Sequence, residues 1–489
     1  MHSLHSRRRK LRQGSFLLIL LSVVLPLPST GLANSDGPRK TSDIDITAIH
    51  RIVGGGTTPE AVVYPGVRGL HKIQTRRLRL INVDKNLKGI LPNGNLDIEW
   101  SQHLKAGLQL CKVNGWIPRI IIGQVIPPTL SMERVGGGKY GPSSWSYYDK
   151  YVAALLAYVT DEWGFKESEW EVGNEMNIPS QNWIALKQPT GPLDMVGFSA
   201  YMTLYTHIAK TVKTFKLEHP QSIVRVGGPA ISPPGYLEEN ERQNWVLRFV
   251  DEIAVRQLPC DFVSAHVYGN EGTGAQTFNA LTKIKHRMAL RQIFAPISIS
   301  EWGASWRSDR EINLAPIAGA FIFEFSRVMS QAKVTDAIFL ALSEFRDQKW
   351  PVLYTSEGTP SHAMKAMQLL SSLDGTVLPC ETGLAKAYCL AVKTSTNDIH
   401  ILVWYLDWWN DQIDAEKGLK SEAKVVVNVS KLESAQYAGS NARISTHSSN
   451  VTCPCPLGVV ITEGPSAVRL PAVNFGYGDY ALLIFSAAK

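Results

Sequence analysis

The chain has 489 residues, 44% hydrophobic and 19% charged, which excludes an extensively disordered protein and leaves room for one large domain plus a smaller one. The formal net charge is +7, but residues 1–33 hold five Lys/Arg and no Asp/Glu, so the remainder is 45 minus 43, or +2. A chain so balanced gives no electrostatic footprint for nucleic acid.

The first element is a leader. Arg7, Arg8, Arg9, Lys10 and Arg12 precede an apolar run from Phe16 to Leu27, and Gly31-Leu32-Ala33 then places small residues before the polar NSDGPRK. This order predicts a secretory signal cleaved after Ala33. The apolar run is 12 residues long, short of the roughly 20 a membrane span needs; an uncleaved signal anchor is the alternative. Export makes disulfides possible. Cys111 and Cys260 are expected as buried thiols. Cys380 and Cys389 are better partners for Cys453 and Cys455 than those two are for each other, with the pairing open.

From about residue 46 to 370, eight β-rich runs alternate with helical patterns. They are ITAIHRIVG (46–54), RRLRLINV (76–83), IPRIIIG (117–123), WEVGNE (170–175), IVRVGGPA (223–230), DFVSAHVYG (261–269), PISISEW (296–302) and DAIFLALSEF (336–345). Several are continuous apolar runs, as parallel strands buried on both faces require. Helices are expected over 146–163, 198–217 and 360–372, and Asp97 or Ser101 starts the one reaching Cys111. Eight strand–helix units predict a (β/α)8 barrel over 34–372, with a doubly wound sheet as the alternative. From 373 to 489, short alternating runs broken by turns predict an accessory β-sandwich, to which part of 34–45 adds a strand. Asn428 and Asn450 stand in glycosylation sequons.

Barrel active sites lie at the C-terminal ends of strands. There the sequence offers Asn174 and Glu175 on the fourth run, His266 and Tyr268 on the sixth, Glu301 and Trp302 on the seventh, and Arg79 and Asn82 on the second. Two carboxylates flanking one bond are what glycoside cleavage requires. One must stay protonated as the acid. The other must stay ionised as the nucleophile, assisted by neighbours such as Tyr268 or Arg79. Trp302 is a sugar platform or a core residue. Glu344 and Asp347 are further candidates. The GGG triplets at 54–56 and 136–138 open no helix and make no phosphate loop. Trp404, Trp408 and Trp409 are read as packing. No metal and no cofactor is expected.

SISEW and WEVGNE, with DFVSAHVY and RVGGPA between them, resemble glycoside hydrolase clan A. They are most similar to family 39, the family of β-xylosidases and α-L-iduronidases. The similarity continues through 94–127 and 355–373, and covers most of 50–375 in the family's order of segments. It implies a TIM barrel, an oligo- or polysaccharide substrate and retaining chemistry. It further implies Glu175 as acid/base, Glu301 as nucleophile, Asn174 as donor to the sugar 2-hydroxyl, and His266 and Tyr268 as site positions. Two departures stand out. Gly173 replaces the family's Trp before Asn-Glu, and FLALSEFRD replaces a strand-eight segment with Trp and Ser-Asp. Loss of these aromatics predicts a reshaped sugar floor and a substrate other than a simple xyloside, such as an internal position of a polysaccharide. A binding protein on a lapsed barrel and a transglycosylase are the rival classes.

Overall fold

The computed structural model describes residues 75–81, 83, 87–130, 141–178, 195–306, 310–342, 351–355, 358–384, 386–406, 422–430, 441–447, 458–459, 461–462, 467–470, 473–476 and 479–486. All described residues belong to one compact unit, 38–489. The leader, the first β-rich run, and Asn82, Glu344, Asp347, Trp408, Trp409, Asn450, Cys453 and Cys455 lie outside the described residues.

Strand β1 (Arg77–Leu80) is followed by a small hairpin, β2 (Leu87–Ile90) with β3 (Leu96–Ile98). Six more strands follow: β4 (Ile117–Ile122), β5 (Glu167–Val172), β6 (Ile223–Ile231), β7 (Phe262–Tyr268), β8 (Ile297–Gly303) and β9 (Asp336–Phe339). Strands β1 and β4 to β9 pair in parallel and in chain order. This is the sheet of a TIM barrel, and each of its seven strands overlaps one of the β-rich runs. Sequential parallel order decides against a doubly wound sheet, whose strand order reverses at a switch point.

Helices cover the outside. The first, Gln102–Asn114, begins where the Ser101 hydroxyl accepts the Leu104 N–H at 3.0 Å. That is ordinary N-cap chemistry, so Ser101 and not Asp97 starts it; Asp97 lies in β3. Helix Trp145–Ala157 ends in a π turn, Tyr158–Glu162, and helix Met195–Glu218 covers the pattern expected over 198–217. No helix among the described residues is long and apolar enough to cross a membrane.

Past helix His362–Ser372, every regular element among the described residues is a strand. The strands are β10 (Thr376–Leu378), β11 (Cys380–Thr382), β12 (Ala387–Lys393), β13 (Ile399–Tyr405), β14 (Glu422–Val425), β15 (Val427–Ser430), β16 (Asn441–His447), β17 (Gly458–Val459), β18 (Ile461–Thr462), β19 (Ala467–Arg469), β20 (Val473–Gly476) and β21 (Tyr480–Phe485). One sheet runs β10-β12-β13-β21-β16-β17, a second β11-β15-β19-β18, and β14 pairs with β20. Period-two alternation gives the large sheet two apolar faces. Cys389, Ala391, Ile401, Val403 and Leu483 meet Val427 and Val429 of the second sheet. Leu390, Val392, Leu402, Trp404 and Leu482 join the barrel core. Trp404 lies 5.8 Å from Phe323 of helix Pro316–Gln331, so it packs as expected. Cys111 is buried, Cys260 is half-buried with its Sγ donating to Phe262 O, and the Cys380 and Cys389 thiols adjoin within the sandwich core.

Candidate active site

The barrel interior is ionic. Strand β5 reads ESEWEV, and alternation sends Glu167, Glu169 and Glu171 one way and Ser168, Trp170 and Val172 the other. Strand β1 reads RLRL, with Arg77 and Arg79 likewise on one face. Arg119 on β4 is the register partner of both Arg79 and Glu169. Two charged layers result. In the lower one, Arg119 donates to Glu169 at 2.8 Å, to the Ser298 hydroxyl at 2.6 Å and to Asp336 at 3.2 Å.

The upper layer is the candidate site. Arg79 is fully buried, and all three of its nitrogens are engaged. Nε donates to Glu171 Oε2 at 2.6 Å, Nη1 to Glu301 Oε2 at 2.9 Å, and Nη2 to Asn174 Oδ1 at 2.7 Å. Nη2 also lies 3.3 Å from His266 Nε2. Burial opposes the guanidinium charge, but Glu171 and Glu301 outweigh it and raise its pKa. The same two kinds of effect act on Glu171: burial pushes it up, and Arg79 then Arg119 hold it down at about 2.

Arginine donates only, so its contact fixes the histidine tautomer. His266 Nε2 accepts from Arg79, and Nδ1 carries the proton and donates to Glu175 Oε1 at 2.9 Å. Burial lowers the imidazole to about 4, Arg79 adding to the effect and Glu301 opposing it, so the ring stays neutral near pH 7. The same logic orients the Asn174 amide: Oδ1 faces Arg79, leaving Nδ2 to donate elsewhere.

The two carboxylates differ in surroundings. Glu175, with its side chain 14% exposed, is raised to about 7 by burial, against a smaller lowering by Arg79. Glu301 accepts from Arg79 on one oxygen and from the Tyr268 hydroxyl on the other. Ligand atoms of Glu175, His266 and Glu301 lie within 4.8 Å of one another. A metal there would need a bare Nδ1 and hence a proton on Nε2, which already faces an Arg79 N–H; the donor set therefore does not suit a cation.

The sequence placed Arg79, Asn174, Glu175, His266, Tyr268 and Glu301 at one mouth, and the structure brings these six together. Trp302 is a correction. It is 0% exposed and packs against Phe321 and Phe339. The reason is alternation: with Glu301 facing the site, its strand neighbour faces the helix layer. Asn174 and Glu175 escape that rule because β5 ends at Val172 and the backbone turns left-handed, with φ of 76° at Gly173 and 50° at Glu175. Gly173 also corrects an expectation. A Cβ there would meet Met176 Cγ at 2.8 Å and Tyr201 Cε2 at 3.2 Å, so the place of the missing Trp is filled by core and opens no space. Sequence reasoning missed Glu171. Its signal was the period-two charge of ESEWE opposite RLR.

No family model matches the chain. A β-xylosidase from Geobacillus stearothermophilus is 25% identical over 210 residues, 39% of this chain and 36% of that protein. The match thus spans about a third of the relative's length. Among solved structures, a family 39 glycoside hydrolase from Xanthomonas axonopodis pv. citri superposes with a TM-score of 0.64 at 16% identity, over 90% of this chain and 94% of that one. The fold is that of family 39 enzymes. A monomeric β-xylosidase from Caulobacter crescentus CB15 gives 0.63 at 14% identity, over 89% and 96%. The likeness to family 39 read from SISEW and WEVGNE over most of 50–375 therefore holds, and the fold likeness extends over about nine-tenths of the chain.

Proposed function

We propose that this chain is a retaining glycoside hydrolase with Glu175 as acid/base and Glu301 as nucleophile. The observation that carries this is the split between two adjacent carboxylates. Burial holds Glu175 near 7, within reach of a proton at neutral pH, while Arg79 and Tyr268 clamp Glu301 as an acceptor. A carboxylate oxygen of each lies within 4.8 Å of the other, which supports the short separation of retaining enzymes.

In the first step, a Glu301 oxygen attacks the anomeric carbon as the bond to the leaving oxygen breaks. Glu175 gives that oxygen its proton, and an alcohol departs. In the second step, the Glu175 carboxylate takes a proton from water. The water oxygen attacks the anomeric carbon, the ester to Glu301 breaks, and both carboxyl groups return to their starting state. Asn174 Nδ2 donates to the sugar 2-hydroxyl. The substrate is an oligo- or polysaccharide, and the protein works outside the cell after cleavage at Ala33, so that the exported chain begins at Asn34.

Turnover of residues 34–489 on aryl and alkyl glycosides and on extracted polysaccharides tests this, with Glu175→Gln and Glu301→Gln alongside. Aryl β-D-xylosides come first. Glu301→Gln should lose activity on every substrate. Glu175→Gln should lose about 10²–10⁴ on alkyl glycosides, the usual worth of a general acid, but much less on 2,4-dinitrophenyl glycosides, whose leaving group departs without a proton. Full activity of Glu301→Gln would overturn the assignment.

A further inference from the structure

We propose that Glu171 is a positioning residue of this site: its carboxylate anchors the Arg79 guanidinium and offsets its charge, and so sets the field that Glu175 and Glu301 feel. The proposal rests on the glycosidase reading above. Glu171 is fully buried and too deep to meet a sugar. Its strongest tie is the 2.6 Å bond to Arg79 Nε, and the opposite end of that guanidinium holds Glu301, Asn174 and His266. One planar, rigid fork thus connects Glu171 to the nucleophile, to the 2-hydroxyl donor, and through His266 to the acid. Fixing Nε fixes where Nη1 and Nη2 point.

The charge argument runs in parallel. The groups around Glu175 are neutral His266 and Tyr268 from β7, Glu301 from β8 and Arg79 from β1, with Glu171 from β5 bound to the far end of the Arg79 guanidinium. Arg119 from β4 lies beneath, itself held by Glu169 and by Asp336 of β9. Glu171, Arg79 and Glu301 together carry one net negative charge, which favours a protonated neighbour. Without the Glu171 charge the trio is neutral. The Arg79 charge then acts on Glu175 with less opposition, and Glu175 releases its proton at lower pH.

Glu171→Gln in the full chain tests this. It keeps the shape and an acceptor for Nε, and removes only the charge. Glu175 is titrated by ¹³C NMR of labelled glutamate, assigned with Glu175→Gln, in native protein and variant. The Glu175 midpoint should fall by about one unit or more, the basic limb of kcat/KM should move down with it, and kcat should drop about tenfold or more at little-changed KM, the pattern of an interaction made in the transition state. An unmoved Glu175 midpoint in folded Glu171→Gln overturns the proposal. If native protein turns over no glycoside yet the midpoint shifts, the coupling stands and the glycosidase reading fails. Should Glu171→Gln not fold, Glu171→Asp decides. It keeps the charge but withdraws it by one methylene, so the Glu175 midpoint should hold while kcat falls; unchanged kcat would overturn the positioning role.

Discussion

Arg79 and Arg119 sit side by side in register on neighbouring strands, both buried and both held by carboxylates. Arg119 is closed in. Glu169, Asp336 and Ser298 surround it, and Ser298 in turn donates to Asp336 at 2.6 Å. Arg79 has the same chemistry one layer nearer the C-terminal ends of the strands, but two of its four partners, Asn174 and Glu301, line the mouth. The same residue type is thus structural when its carboxylates are sealed and chemical when they face substrate. Position along the barrel axis makes the difference.

The comparison breaks most visibly under paired substitutions. Arg79→Gln removes donors to Glu301 and Asn174 and leaves buried Glu171 without its cation, so kcat of the folded protein should fall by about 10²–10³, the usual cost of one preorganised donor, and stability should fall with it. Steady-state kinetics beside a melting curve check both halves. Arg119→Met should lower stability alone. It strips Asp336 of its guanidinium and leaves Glu169 to Arg77, which should cost about 3–5 kcal/mol in urea unfolding, with kcat of the folded protein retained. Equal loss of activity in both variants would dissolve the distinction between the layers.

A third prediction concerns pH. Glu175 has a folded pKa of about 7 against an ordinary 4.5. Below about 4.5 the group is protonated folded or unfolded and costs nothing. As pH rises towards 7, only the unfolded chain sheds the proton, so stability falls through that window and levels off above it. Glu175→Gln lacks this term. It should match the native protein near pH 4 and exceed it by roughly 2–3 kcal/mol above pH 7. Denaturant titrations at the two pH values measure the gap, and a constant difference would contradict the assigned burial effect.

Much of this was legible in the chain. The parallel order followed from continuous apolar runs, and the mouth from asking which polar side chains end strands. Glu171 was hidden because a single Glu within WEV looks like ordinary alternation. Only together with Glu167 and Glu169, and with Arg77 and Arg79 on another strand, does it mark an ionic interior. Trp302 went astray for the converse reason: adjacency to Glu301 was taken as shared direction, when on a strand it means opposite faces. The left-handed turn through Gly173 and Glu175, which frees Asn174 and Glu175 from that rule, depends on packing by Met176 and Tyr201 that sequence spacing does not display.

With Trp302 in the core, an exposed aromatic beyond β8 is Trp306, 46% exposed. Its backbone N–H donates to Asn270 Oδ1 at 3.2 Å. Asn270 follows Tyr268 by two residues and Trp306 follows Glu301 by five, so this bond continues the Tyr268–Glu301 rung onto the rim. Under the proposed function, an indole on a backbone tied at this rim is offered as an apolar face for a sugar ring next to the cleaved bond. Trp306→Ala removes a contact made alike in ground and transition states. It should cost about 1 kcal/mol, which raises KM roughly fivefold and leaves kcat in place. The rise should grow from aryl monosaccharides to longer oligosaccharides if the ring under Trp306 is one removed from the cleaved bond. A KM that stays flat across that series would return the indole to the role of an ordinary surface residue.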